Sequence, residues 1–142
     1  MPSVKKMVLD WRGNYCFTAK NEKGLSVNFD APIPNGGEET ALSPMENVLA
    51  SLAACSSYHV VSILRKKRQN FSDYSVEMTA DRRDEPPRIF TDIHIKYIVK
   101  GKNISEEAVE SAIRLSEEKY CSVAGMLKNA VKITSSYEIS KE

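Results

Sequence analysis

Apolar positions along the chain form short alternating runs, then one long apolar stretch, then further alternating runs. Within residues 4–30, Val4–Trp11, Tyr15–Ala19 and Leu25–Phe29 are rich in β-formers, and Arg12-Gly13-Asn14 and Asn21-Glu22-Lys23-Gly24 supply turn chemistry between them. These runs predict three strands. A surface loop follows over Ala31–Leu42, where Pro, Gly, Asn and Glu dominate.

From Ser43 to about Lys67 the pattern predicts a long helix. Ser43-Pro44-Met45-Glu46 reads as its start, with Ser at the N-cap, Pro at the first helical position and Glu closing a capping box. Arg65-Lys66-Lys67-Arg68 suits the negative end of the helix dipole, which explains that basic run without an acidic partner. Val48–Ile63 is almost free of charge around the whole helix, the mark of a buried helix. Such a helix is roughly 35 Å long, about the width of a small domain. Its centre, Ala50-Ser51 and Ala53–Ser57, is made of small residues that let another backbone come close. One chain's sheet covers only one side of such a helix, so a second copy related by two-fold symmetry is expected on the other. The competing arrangement encloses the helix within one chain, between two sheets or between a sheet and the shorter helices.

Beyond the turn at Asn70–Asp73, Tyr74–Asp84 predicts a strand that Glu85-Pro86-Pro87 breaks. Ile89–Val99 alternates, with Ile93, Ile95, Tyr97 and Val99 on one face and Asp92, His94 and Lys96 on the other, as in a half-buried antiparallel strand. After a turn at Gly101–Ile104, Ser105 caps an amphipathic surface helix with Glu106 and Glu107 in its first turn and Val109 and Ile113 on its apolar face, continued by Ser116. The pattern resets at Tyr120-Cys121-Ser122, a short buried helix is expected over Val123–Leu127, and Val131–Ile139 closes the chain as a strand. The order lacks a repeated βαβ unit, which predicts an α+β fold with antiparallel sheets around the central helix, in one domain spanning 1–142.

Charge narrows the partners. Lys and Arg number 20 against 19 Asp and Glu, a net charge of +1, which speaks against a nucleic-acid binder that works by neutralising many phosphates. No apolar run approaches the ~20 residues that a membrane span needs. Met1-Pro2-Ser3-Val4-Lys5-Lys6 is not followed by the apolar segment of a signal peptide. The expected setting is the cytoplasm, with no membrane partner.

The three cysteines, Cys16, Cys55 and Cys121, are too few and too widely spaced for a disulfide scaffold, and none lies in a CxxC pair. Each is either a small buried apolar residue or a reactive thiol.

The segments Ser43-Pro44-Met45-Glu46, Leu52-Ala53-Ala54-Cys55 and Lys119-Tyr120-Cys121-Ser122-Val123 resemble the OsmC/Ohr superfamily, the osmotically inducible and organic hydroperoxide resistance proteins. The match is nearest to an OsmC-like subgroup marked also by Val60–Leu64, Arg82–Arg88 and Glu118–Val123, and it covers almost the whole chain. The resemblance implies an intertwined homodimer with two sites at the subunit interface and a thiol peroxidase acting on organic hydroperoxides in oxidative-stress defence. By position, Cys55 would be the peroxidatic thiol and Cys121 the resolving one, with the resulting disulfide reduced by a dithiol such as a lipoylated protein. A thiolate is the nucleophile, and a second thiol traps the sulfenate before it over-oxidises. No metal or other cofactor is expected.

Around this pair the family pattern changes. Met45 stands where the peroxidase branches carry an activating Glu, and Glu46 is nine positions before Cys55, half a turn away on the helix. Glu46 is thus a candidate for the activating catalytic Glu but also the natural partner of Ser43 in the capping box. Arg12 falls in the region of the family's arginine without aligning on it, and Arg82, Arg83 and Arg88 either serve a site or decorate a strand end. His59, one turn after Cys55, could favour its thiolate or simply bond at an interface; Tyr120 is expected to pack, and Cys16 to fill the core or a sheet face. The competing function is a dimeric binding protein for an apolar or acyl ligand, without peroxidase activity.

Overall fold

The computed structural model describes residues 5–141. The chain comprises two compact units, the first ending at Ala50 and the second beginning at Ser51, within the long helix.

The first unit holds an antiparallel sheet in the order β1-β2-β3, formed by β1 (Met7–Trp11), β2 (Phe17–Asn21) and β3 (Ser26–Phe29). Val4, the expected start of β1, lies outside the described residues. Gly13 and Asn14 turn the chain at φ +102° and +49°, and the Cys16 amide closes the turn on the Gly13 carbonyl at 3.0 Å. Cys16 was expected within a strand. It instead ends this turn, half-buried, because the positive φ values at 13 and 14 delay β2 until Phe17. In the loop after β3, the buried Asp30 carboxylate accepts the Ala31 amide at 2.7 Å, the Thr40 amide at 3.0 Å and the Thr40 hydroxyl at 2.5 Å. Those bonds, the Thr40 hydroxyl foremost, hold its pKa down to about 2.

The helix α1 (Pro44–Lys66) begins as its sequence dictates: Glu46 Oε1 accepts the Ser43 amide at 2.9 Å, and Ser43 Oγ accepts the Glu46 amide at 3.2 Å. By length and composition alone α1 could cross a membrane, contrary to the expectation that no apolar run approaches a span. Here it is a core helix, since Leu52, Val60 and Leu64 are fully buried and the buried Ser56 bonds to Tyr97 within the same, second unit. Burial follows that single line at four-residue spacing; the other sides, expected to be buried, are half-buried or exposed within one chain, and Tyr58 is 73% exposed.

The second unit contains β4 (Phe71–Arg82), β5 (Phe90–Gly101), α2 (Glu106–Leu115), a π-helical turn (Ser116–Tyr120), α3 (Ser122–Leu127) and β6 (Lys132–Ser140). β5 is the central strand, antiparallel to β4 and parallel to β6. The α+β class holds, and the one departure from the antiparallel sheets expected is the parallel pairing of β6. The two helices and the π turn between β5 and β6 make a connection long enough to bring the chain back in the same direction. The predicted alternation of β5 is present: Ile93, Ile95, Tyr97 and Val99 are buried, and the intervening Lys96 pairs with Glu138 of β6 at 3.2 Å. α2 supplies Ala108, Val109, Ala112 and Ile113 to the same core, and Ser105 Oγ caps it by accepting the Ala108 amide at 3.2 Å.

Candidate functional site

Cys55 and Cys121 come together although 66 positions separate them. Cys55 lies half-buried in the middle of α1, and Cys121 is only 4% exposed. Cys121 sits where the π turn gives way to α3: its amide donates to the Ser116 carbonyl at 2.7 Å, and its Sγ takes the N-cap position of α3 by accepting the Ala124 amide at 3.4 Å. This junction aims the first amides of α3 at the other thiol. Burial pushes the Cys55 thiol up, but bonds from the Val123 amide, the Cys121 thiol and the Ser122 amide outweigh it, and the net shift is below the usual thiol value. Cys121 moves the other way. Burial, together with the hydrogen bond and charge of Cys55, pushes it up to about 11, against the opposing Ala124 and Val123 amides. The two thiols are therefore shifted in opposite directions.

Beneath the pair lies a polar cluster that sequence reasoning missed. Ser56, next to Cys55, is fully buried, and its Oγ is 2.5 Å from the hydroxyl of Tyr97 on β5. Tyr97 donates to Glu117 Oε2 at 2.5 Å, and the buried Ser116 donates to the Ser56 carbonyl at 2.8 Å, with the two serine Oγ atoms 3.1 Å apart. Burial pushes the Tyr97 phenol well up, and burial also raises the Glu117 carboxyl despite the bonds it accepts from Tyr97 and Ser135. Glu117 borders a cavity of about 340 Å³ shared with Glu110, Arg114 and Tyr137. The signals in the sequence were a tyrosine on the inward face of β5 and serines on otherwise apolar helix faces, each of which requires a buried partner. The π turn that delivers Ser116 and Glu117 has no such signature.

The remaining candidates have defined places. His59 stacks on Tyr120 with ring centroids 5.6 Å apart at 25°, and meets Tyr58 edge-on at 5.1 Å. A groove of about 540 Å³ runs beside them, lined also by Ile63, Lys66 and Leu115. Arg82 and Arg83 brace the β4–β5 hairpin, with Arg82 Nε donating to the Arg88 carbonyl at 2.8 Å and Arg83 Nε to the Pro87 carbonyl at 2.7 Å. Glu46 and Arg12 belong to the first unit. The Glu46 carboxylate is engaged by Ser43, whose amide and hydroxyl hold its pKa down, and Arg12 sits in the β1–β2 turn with its amide donating to the Cys16 carbonyl at 2.8 Å.

Comparison with known proteins gives a consistent result. Residues 36–136 match the family model described as OsmC-like protein. Protein YhfA of Escherichia coli strain K12 is 45% identical over 129 residues, 91% of this chain and 93% of that one. A hypothetical protein from Aquifex aeolicus VF5 superposes with a TM-score of 0.87 at 36% identity, over 99% of each chain. An organic hydroperoxide resistance protein OsmC from Legionella pneumophila shares the fold at a TM-score of 0.72 and 16% identity, covering 96% of this chain and 97% of that one.

Proposed function

The chain belongs to the OsmC-like family, and from that premise we propose that it is a thiol-dependent peroxidase that reduces organic hydroperoxides through Cys55 and Cys121. The observation that carries this reading is the juxtaposition of the two thiols: the Cys55 sulfur is hydrogen-bonded by the Val123 amide, the Cys121 thiol and the Ser122 amide. The Cys55 thiolate attacks the terminal oxygen of the hydroperoxide, the O–O bond breaks, and the alcohol leaves once its oxygen takes a proton. Cys55 is left as a sulfenic acid. Cys121 then attacks that sulfur, its thiol proton joins the departing hydroxyl as water, and a disulfide forms. A dithiol reductant, of the kind a lipoylated protein carries, returns both thiols by exchange.

Activation in this reading comes from the Ser122 and Val123 amides, which fits a chain with Met45 at the family's Glu position. Glu46 serves the helix cap. The protein acts as a homodimer in the cytoplasm, with a second copy covering the sides of α1 that one chain leaves open; the small exposed residues Ser51 and Ala54 suit such close packing.

The test is catalytic decay of cumene hydroperoxide with dihydrolipoamide as reductant. Turnover is expected in the wild type and absent in Cys55→Ser. In Cys121→Ser it should stop after about one equivalent. Equal decay in wild type and Cys55→Ser would overturn the assignment. No decay in either would favour a binding protein for an apolar or acyl ligand.

A further inference from the structure

We propose that Ser56, Tyr97 and Ser116, anchored by Glu117, form a positioning clamp that sets the distance between the Cys55 and Cys121 sulfurs and so governs disulfide formation between them. This role rests on the reading of Cys55 and Cys121 as a redox pair, and it assigns no contact with substrate to the clamp.

The geometry is economical. Each thiol is one short link from the same buried cluster: Cys55 through the peptide bond to Ser56, and Cys121 through its amide on the Ser116 carbonyl at 2.7 Å. Ser116 closes the loop by donating its hydroxyl to the Ser56 carbonyl at 2.8 Å, which ties the turn of α1 bearing one thiol to the π turn preceding the other. Three hydroxyl protons satisfy the cluster in one direction, from Ser116 to the Ser56 carbonyl, from Ser56 to Tyr97, and from Tyr97 to the Glu117 carboxylate. Ser56, Tyr97 and Ser116 are each 0% exposed, so water cannot replace a lost partner cheaply. A wider turn than an α-helix provides is also needed to reach this arrangement. The π turn places Ser116 and Glu117 on the cluster while Cys121 leaves it in an extended conformation, at φ −72° and ψ 108°.

A clamp of this kind raises the effective concentration of one thiol at the other. That quantity is read from the equilibrium of the Cys55–Cys121 disulfide with a dithiothreitol redox buffer. There, two electrons and two protons pass from the protein thiols to oxidised dithiothreitol, with no peroxide involved. Tyr97→Phe and Ser116→Ala are expected to lower the effective concentration about tenfold, an upward shift of roughly 30 mV in reduction potential. Ser116→Thr keeps the hydroxyl and should stay near the wild type. In parallel, under excess cumene hydroperoxide, the first oxidation of Cys55 should keep its rate within about twofold in Tyr97→Phe and Ser116→Ala. The fraction of Cys55 ending as sulfinic acid should rise severalfold, since the trapped sulfenate waits longer for its partner.

Effective concentrations within twofold of wild type in whichever of Tyr97→Phe and Ser116→Ala folds would overturn the clamp, as would a wild type that forms no Cys55–Cys121 disulfide in oxidised dithiothreitol. A disulfide that forms there and responds to Ser116→Ala, but does not form with hydroperoxide, would support the clamp and remove the peroxidase reading alone.

Discussion

The proposed activation of Cys55 rests on backbone amides rather than on a charged side chain, and this can be tested one amide at a time. Ser122 is the first residue of α3, a position where proline fits without loss of an internal helix bond. Ser122→Pro removes a donor to the Cys55 thiolate, so the Cys55 pKa should rise, as followed by thiolate absorbance against pH, while the helical signal in circular dichroism stays unchanged. A Cys55 titration unmoved by that substitution would assign the lowered pKa to other groups. Asp30 offers a second residue-level test, in the opposite pH range. Its pKa falls from 3.8 to about 2 on folding, so the ionised form is favoured in the native state. The stabilisation it brings is complete above 3.8 and disappears as pH falls through about 2. The gap in Tm between wild type and Asp30→Asn should accordingly be wide at pH 6 and narrow steadily between pH 4 and pH 2.

At the scale of elements, α1 and β5 are joined by the Ser56–Tyr97 bond, and Leu52, Val60 and Leu64 of α1 are buried, as are Ile93, Ile95 and Val99 of β5. Leu52→Ala should cost about 2–5 kcal/mol by chemical denaturation, because removing a fully buried leucine leaves a cavity. The sequence made much of this legible. The Ser43–Glu46 box fixed the start of α1, and strict alternation fixed the inward face of β5. Two features stayed hidden. The parallel pairing of β6 depends on where a long connection returns, which no local pattern records. The π turn depends on one extra residue per turn being accommodated by packing, and Ser116 looked like the tail of the apolar face of α2. The thiol pair was legible only through family resemblance, since spacing alone does not bring position 55 to position 121.

For the whole molecule, α1 poses the main physical question. It is apolar around its circumference yet sealed along one line within a chain. In the proposed dimer a second copy covers the remaining sides, and sedimentation should give twice the 15.9 kDa of one chain. Ala54→Glu, on the open side of α1, should shift the species toward the monomer with its helical content retained. A monomer in the wild type at micromolar concentration would remove the dimer from the account.

The central claim is that Cys55 and Cys121 form a disulfide on meeting one equivalent of organic hydroperoxide. Reduced protein treated with cumene hydroperoxide should lose two free thiols per chain, and peptide mass spectrometry should find Cys55 joined to Cys121, with neither change in Cys55→Ser. Survival of all three thiols of the chain would contradict the account.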